Sequence, residues 1–191
     1  LDEAVVLRKN DIKKPILVLG CIFPDQWEAM IENEVRMTTY TVEMAKEVSN
    51  LAVKMGKDAY IHIKLDTGMS RLGFQIHEDS VDTIEVISKM PGLKLEGMFT
   101  HFAKADETDK AYTDVQIGKY NYMRDELKKR GVSFPIYHCS NSAGIIDIKK
   151  ANMDLVRAGI SIYGLYPSEE VEKKNVPLRP AMELISHVSY V

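Results

Sequence analysis

The sequence predicts an α/β fold of parallel β/α units, on three observations. Short apolar runs alternate with amphipathic helical stretches along the chain. The stretches between runs are long enough for helical crossovers, which parallel strands require. Several runs end in small, polar or charged residues, at the end where sites are built in such folds. Six units can be counted. A doubly wound sheet can use six, whereas a (β/α)8 barrel needs eight in about 250 residues. A barrel would therefore be incomplete here, with two units missing ahead of Leu1.

Each element follows from its residues. ILVLG (16–20) reads as a buried strand stopped by Gly20, and VRMTTY (35–40) as a second. TVEMAKEVSNLAVKMG (41–56) has helical spacing, with Val42, Ala45, Val48, Leu51 and Ala52 on one face. AYIHIKLDT (59–67) is the third strand, and 77–90 a helix closed by Pro91-Gly92. LKLEGMFTHF (93–102) is the fourth strand, followed by a long helix over about 109–130 that ends at Gly131. FPIYHCS (134–140) and MDLVRAG (153–159) are the fifth and sixth strands. The charged stretch 168–180 reads as a linker, and AMELISHVSYV (181–191) as a strand of a further domain. The chain opens on Leu within a helix and closes within a strand, so it reads as a fragment.

Composition excludes several classes. Hydrophobic residues make up 45% and charged residues 28%, as in a globular protein with a sizeable core. A formal charge of −3 without a Lys/Arg block gives no reason to expect nucleic acid. No apolar run is long enough to span a membrane, and the acidic N-terminus is not a signal peptide. Cys21 and Cys139 read as small buried hydrophobes in a reducing compartment. The scattered His and Cys residues show no metal spacing, so no metal is expected. Dinucleotide, Walker and nucleophile-elbow motifs are absent from the sequence.

Four stretches carry chemistry. In HIKLDTGMSRLGF (62–74), alternation puts Ile61, Ile63 and Leu65 on one face and His62, Lys64 and Asp66 on the other. The apolar face suits covering helices. The polar face would look into a barrel interior or sheet crevice, although an edge strand with one solvated face has the same pattern. Arg71 then projects from a Gly-bounded loop as a fork for an anion. THFAKAD (100–106) places His101 at the matching end of its strand, where a ring can stack on a flat ligand or simply hydrogen-bond to its neighbours. HCSNSAG (138–144) puts Ser142 where backbone N–H groups are free, as a helix cap or an anion site. VRAGISIYG (156–164) holds Gly159, with neighbouring backbone N–H groups, and Arg157, a charge in an apolar run that needs a partner. Barrels frequently bind phosphate with the loops after their last two strands.

PILVLG, HIKLDTGMSRLGF, THFAKAD, HCSNSAG and VRAGISIYGLYP, in this order, resemble bacterial alanine racemases over nearly all 191 residues. The resemblance implies a (β/α)8 TIM-type barrel, represented here by about strands three to eight. Residues 1–167 would be the partial, cofactor-binding barrel, 168–180 a linker, and 181–191 the first strand of a C-terminal β-domain. It implies a fold-type III pyridoxal-phosphate enzyme, a cytoplasmic homodimer that interconverts L- and D-alanine for peptidoglycan precursors. Arg71 resembles the arginine that bonds the cofactor's phenolic oxygen and faces the substrate carboxylate. Lys64 resembles a lysine carbamylated in some members, whose two acceptor oxygens then orient that arginine. His101 resembles the histidine beside the pyridine ring, and Asn141 adjoins the cofactor. Ser142, Gly159 and Ile160 match the phosphate donors, and Arg157 the arginine on the pyridine nitrogen. A permanent cation there disfavours ring protonation, weakens the electron sink and limits transamination. Asp106 falls where the family lines its substrate entrance.

Racemisation needs a base on each face of Cα. The family's Schiff-base lysine and the partner subunit's tyrosine match no residue of this chain, which is expected to be inactive alone. The resemblance leaves room for a serine racemase of the vancomycin-resistance type and for a non-catalytic pyridoxal-phosphate barrel. It also leaves room for an open barrel that binds nothing.

Overall fold

A computed structural model describes residues 1–190. In chain order its elements are α1 (Asp2–Lys9), β1 (Ile16–Val18), α2 (Trp27–Glu32), β2 (Val35–Thr39), α3 (Val42–Met55) and β3 (Ala59–Lys64). They continue with α4 (Glu78–Ser88), β4 (Leu93–Phe99), α5 (Ala111–Lys129), β5 (Ile136–His138) and α6 (Ser142–Asp147). Short 3-10 turns follow at Lys149–Ala151 and Ile160–Tyr163.

All four strand pairings are parallel, in the order β1-β2-β3-β4-β5. Every strand lies beside its neighbour in sequence. A doubly wound sheet would reverse that order at a switch point. The sheet is therefore a curled, incomplete barrel. Helices α2 to α5 pack on one another in sequence outside it, with α2, α3 and α4 touching strands.

Alternation divides the strands as expected. Met37, Ile61, Ile63 and Met98 are fully buried, in the core that the helices cover. Helix α3 starts where Thr41 Oγ1 accepts the Met44 N–H at 3.2 Å, and it buries Ala45, Val48 and Ala52. Fully burying such aliphatic side chains is worth roughly 1.5–3 kcal/mol each for Val, Leu, Ile or Met. From α5, the buried Tyr120 hydroxyl donates to the Met98 carbonyl at 2.7 Å, tying helix to sheet. The opposite strand face carries Arg36, Thr38, His62, Lys64, Phe99 and His138, with His62, Lys64, Thr38 and His138 buried.

Three sequence expectations are corrected. Residues 153–159 form no strand. The Asp154 and Arg157 N–H groups do bond to the Tyr137 and Ser140 carbonyls. However, the Asp154 carboxylate takes the Tyr137 N–H at 2.9 Å, where a backbone carbonyl would sit in a ladder. Residues 181–190 likewise have no regular structure, because no described strand pairs with them; Leu184 is 98% exposed, and residue 191 lies outside the described residues. Cys21 is exposed and takes a hydrogen bond from Tyr40 at 3.1 Å, whereas Cys139 is buried as expected. The charged stretch 168–180 is docked at its start. Val171 is buried, Ser168 Oγ donates to the Asp106 carbonyl at 2.6 Å, and the Glu170 carboxylate accepts the Thr108 N–H at 2.6 Å.

Candidate active site

The C-terminal ends of β3, β4 and β5 converge. After β3, Asp66 organises the loop, its Oδ1 accepting the Gly68 and Ser70 N–H groups at 3.0 Å each. Burial raises the Asp66 carboxyl, but those donors outweigh it and hold the group below its usual range. Gly73 has φ +136°, and a Cβ there would lie 2.4 Å from the Asp66 nitrogen, so this approach needs glycine. Ser70 takes φ +58°, an unusual conformation for a non-glycine residue.

A buried glutamine joins two of these loops. Gln116 on α5 accepts the Ala103 N–H at 2.9 Å, and donates to Thr67 Oγ1 at 3.0 Å and to the His101 carbonyl at 3.2 Å. The loops carrying Arg71 and His101 are thus fastened to one helix.

Lys64 is 2% exposed and donates to the Leu65 carbonyl at 2.7 Å and the Leu72 carbonyl at 3.2 Å. Burial pushes its amine down to about 8; Asp66 opposes this, and the Arg157 and Arg71 charges add to it. His101 falls to about 4, first by burial, then through Arg157, Arg71 and Lys64. It is a neutral ring at physiological pH.

Arg157 finds the partners its charge demands. Its Nη2 donates to the Thr100 carbonyl at 2.6 Å and the Cys139 carbonyl at 2.8 Å. Its Nη1 meets His138 Nδ1 at 2.7 Å. Burial lowers Arg157 to about 10, so it remains a cation at neutral pH. Its Nε–H is buried with no partner among the described residues.

Ser142 gathers donors. Its Oγ accepts the Gly159 N–H at 3.0 Å and the Ser161 N–H at 3.3 Å, and the Ser161 hydroxyl lies 3.1 Å away. Asn141 caps α6, with Oδ1 accepting the Gly144 N–H at 3.0 Å.

A cavity of about 410 Å³ opens between these loops. His101, Asp106, Asn141, Ser142, Arg157, Gly159 and Ile160 all line it, seven of the nine residues singled out from the sequence. Lys64 and Arg71 are not in its wall. Lys64 is buried, its Nζ 5.6 Å from the Phe99 ring centre, and the Arg71 side chain is exposed. Sequence reasoning missed Leu19 and Met69 in the wall, and Ser161 beside Ser142. It also assigned nothing to His138, whose inward face alternation along β5 could have indicated.

Residues 1–167 match the family described as "Alanine racemase, N-terminal domain". The chain belongs to the alanine racemase family. It is 45% identical to the alanine racemase of Methanococcus maripaludis over 189 residues, covering 99% of this chain and 51% of that protein. To the Clostridium tetani alanine racemase it is 43% identical, covering 100% and 49%. Among solved structures, the alanine racemase of Clostridium difficile 630 in complex with cycloserine superposes with a TM-score of 0.93 at 45% identity, over 94% of this chain and 49% of that one. The Bacillus anthracis alanine racemase with bound L-Ala-P gives 0.86 at 36%, over 94% and 47%. The chain spans about half the length of the alanine racemase relatives it matches. The racemase family thus accounts for the curled barrel and for the order of its loops.

Proposed function

We propose that the full-length protein is a pyridoxal-phosphate-dependent alanine racemase, and that this chain supplies most of its cofactor-binding barrel. The observation that carries the reading is the unpartnered, buried Nε–H of Arg157 at a cavity that also holds the Ser142 cluster. A buried donor without an acceptor costs about 1–3 kcal/mol. A pyridine nitrogen supplies that acceptor, and a phosphate supplies anionic oxygens for the Ser142 hydroxyl and the nearby N–H groups. The residues present therefore fit the cofactor.

On this reading Ser142, Gly159 and Ile160 hold the phosphate, and Asn141 borders the cofactor. Arg157 holds the pyridine nitrogen, and its fixed charge keeps protons off it. When bound, the cofactor is the electron sink for charge developing at Cα. His101 presents a neutral ring beside it and carries no proton. Arg71 receives the substrate carboxylate, and Asp106 borders the entrance. Lys64, with its amine near 8, retains enough free base at neutral pH to capture carbon dioxide; its carbamate would then orient Arg71. Both proton-exchanging bases lie outside these 191 residues, so the chain alone is inactive. Residues 1–167 are the barrel part, 168–180 the connection and 181–191 the start of a β-domain, in a cytoplasmic homodimer that serves peptidoglycan synthesis.

The test uses the full-length protein. Loss of optical rotation from L-alanine, with L-serine much slower, supports the reading. Equal or faster loss from L-serine makes it a serine racemase, and pyridoxal-phosphate binding without either makes it a carrier. Ser142→Ala is expected to weaken pyridoxal phosphate about tenfold while leaving unphosphorylated pyridoxal unchanged, the loss of one hydrogen bond to a charged group.

A further inference from the structure

Three hydrogen bonds inside the barrel admit one arrangement of protons. Arg157 Nη1 lies 2.7 Å from His138 Nδ1. A guanidinium has no acceptor, so Nδ1 accepts, and the His138 proton sits on Nε2. That Nε2 lies 2.9 Å from His62 Nδ1, which must accept in turn. The His62 proton is then on Nε2, 3.0 Å from Glu96 Oε2. A second proton on either ring would set N–H against N–H, so both imidazoles are neutral.

Glu96 closes the file. Arg36 clamps it, with Nε 3.0 Å from Oε2 and Nη2 3.0 Å from Oε1. With unbroken register from Ile61↔Leu95, Glu96 would stand opposite His62 and Gly97 would face away. The pairing instead jumps from Ile61↔Leu95 to His62↔Gly97, leaving Glu96 as the extra residue of a β-bulge. A bulge re-aims a side chain. Gly97 completes the arrangement, since a Cβ there would lie 2.2 Å from His62 Nδ1.

We propose that Glu96 is a positioning residue for Arg157, acting through His62 and His138. Its carboxylate polarises the His62 N–H, which makes His62 Nδ1 a better acceptor and His138 a better donor. His138 Nδ1 gains acceptor strength in turn, because hydrogen bonds in a chain reinforce one another. Both Arg157 Nη groups are thereby held on His138, Thr100 and Cys139, and Nε–H is left without a partner among the described residues. The catalytic consequence rests on the pyridoxal-phosphate reading; the proton arrangement does not.

Long-range proton–nitrogen spectra of full-length protein carrying ¹⁵N-histidine test this. His62 and His138 are expected as neutral Nε2–H rings, and an Nδ1–H signal from either overturns the file. In Glu96→Gln the amide cannot serve both Arg36 and His62, because each carboxylate oxygen already faces a donor. The His138 Nδ1 resonance is expected to move and pyridoxal phosphate to bind about tenfold more weakly, the scale of lost outer-shell partners. A merely structural glutamate would lower the unfolding midpoint and leave both readouts of the folded protein at wild-type values, which overturns the proposal. Should Glu96→Gln not fold, Arg36→Gln loosens the same carboxylate and is read by the same signal, with no shift overturning the proposal. If the wild-type protein binds no pyridoxal phosphate, the cofactor reading fails, and the His138 shift alone decides the role of Glu96.

Discussion

Gly97 lies directly against the His62 ring, so close that a single methyl group would meet Nδ1 at 2.2 Å. Gly97→Ala must therefore displace a buried imidazole that bonds at both nitrogens. Overpacking and lost buried hydrogen bonds together set the cost at about 3 kcal/mol. Gly118 on α5 is the control: nothing lies within 4 Å of its added Cβ, and Gly118→Ala is expected to gain up to about 1 kcal/mol. Denaturant midpoints of the two variants of the full-length protein check both signs.

The loop after β3 gives a prediction of opposite sense. Ser70 holds φ +58° without a side-chain reason, since its N–H, not its hydroxyl, bonds Asp66. Ser70→Gly removes the strain but frees the unfolded chain, for a net gain of about 0.5 kcal/mol. Gly73→Ala, with its Cβ against the Asp66 backbone, is expected to lose about 3 kcal/mol or more. Thermal unfolding of both variants reads the contrast.

Lys64 makes stability depend on alkaline pH. Its folded pKa of about 8 lies below the ordinary 10.5, so the unfolded state binds more protons between those values. Its contribution to stability therefore rises from pH 8 to 10.5, and is lost as pH falls through 8. Lys64→Met should flatten that part of the stability profile. In the unmodified protein, ¹³C-bicarbonate should give a carbamate carbon signal that Lys64→Met abolishes; a carbamate would also shift the alkaline profile, so both are measured at fixed carbonate.

The histidines act at the acid end. His101 is lowered to about 4 by burial and by Arg157, Arg71 and Lys64, and His138 to about 2 by burial, Arg157 and His62. Depressed histidines leave the unfolded state the better proton binder below 6.5, so stability falls as pH drops from 6.5 towards 4. His101→Asn should remove its share of that slope while leaving the profile above pH 7 unchanged, as read from denaturation curves.

Gln116 is the fastening between loops, and Gln116→Leu tests it. The leucine strips partners from the Ala103 N–H and the His101 carbonyl, at a cost of about 2–3 kcal/mol. Hydrogen exchange should then rise at residues 101–106 well before the strands open.

Much of this was legible in the chain. The inward face of HIKLDT could be read because strand alternation is strict, and His62 and Lys64 do face inward together. The loop-end residues could be read because β/α folds put sites at one end of the sheet. The sixth strand could not: whether 153–159 joins a ladder depends on the Asp154 carboxylate taking a backbone's place. Glu96 was hidden for a related reason. Alternation counted on from Leu95 and alternation counted back from Phe99 put it on opposite faces, and only the pairing register exposes the bulge.

That extra residue makes the strand's length part of its specification. Removing Glu96 altogether would let β4 slide into even pairing with β3, with an intact apolar stripe and no obvious defect in the sheet. Arg36 and His62 would still stand in the interior, now without the anion between them. A one-codon deletion here is therefore a sharper lesion than most substitutions, and family members that pair these strands without the bulge would have to hold their guanidinium by some other route.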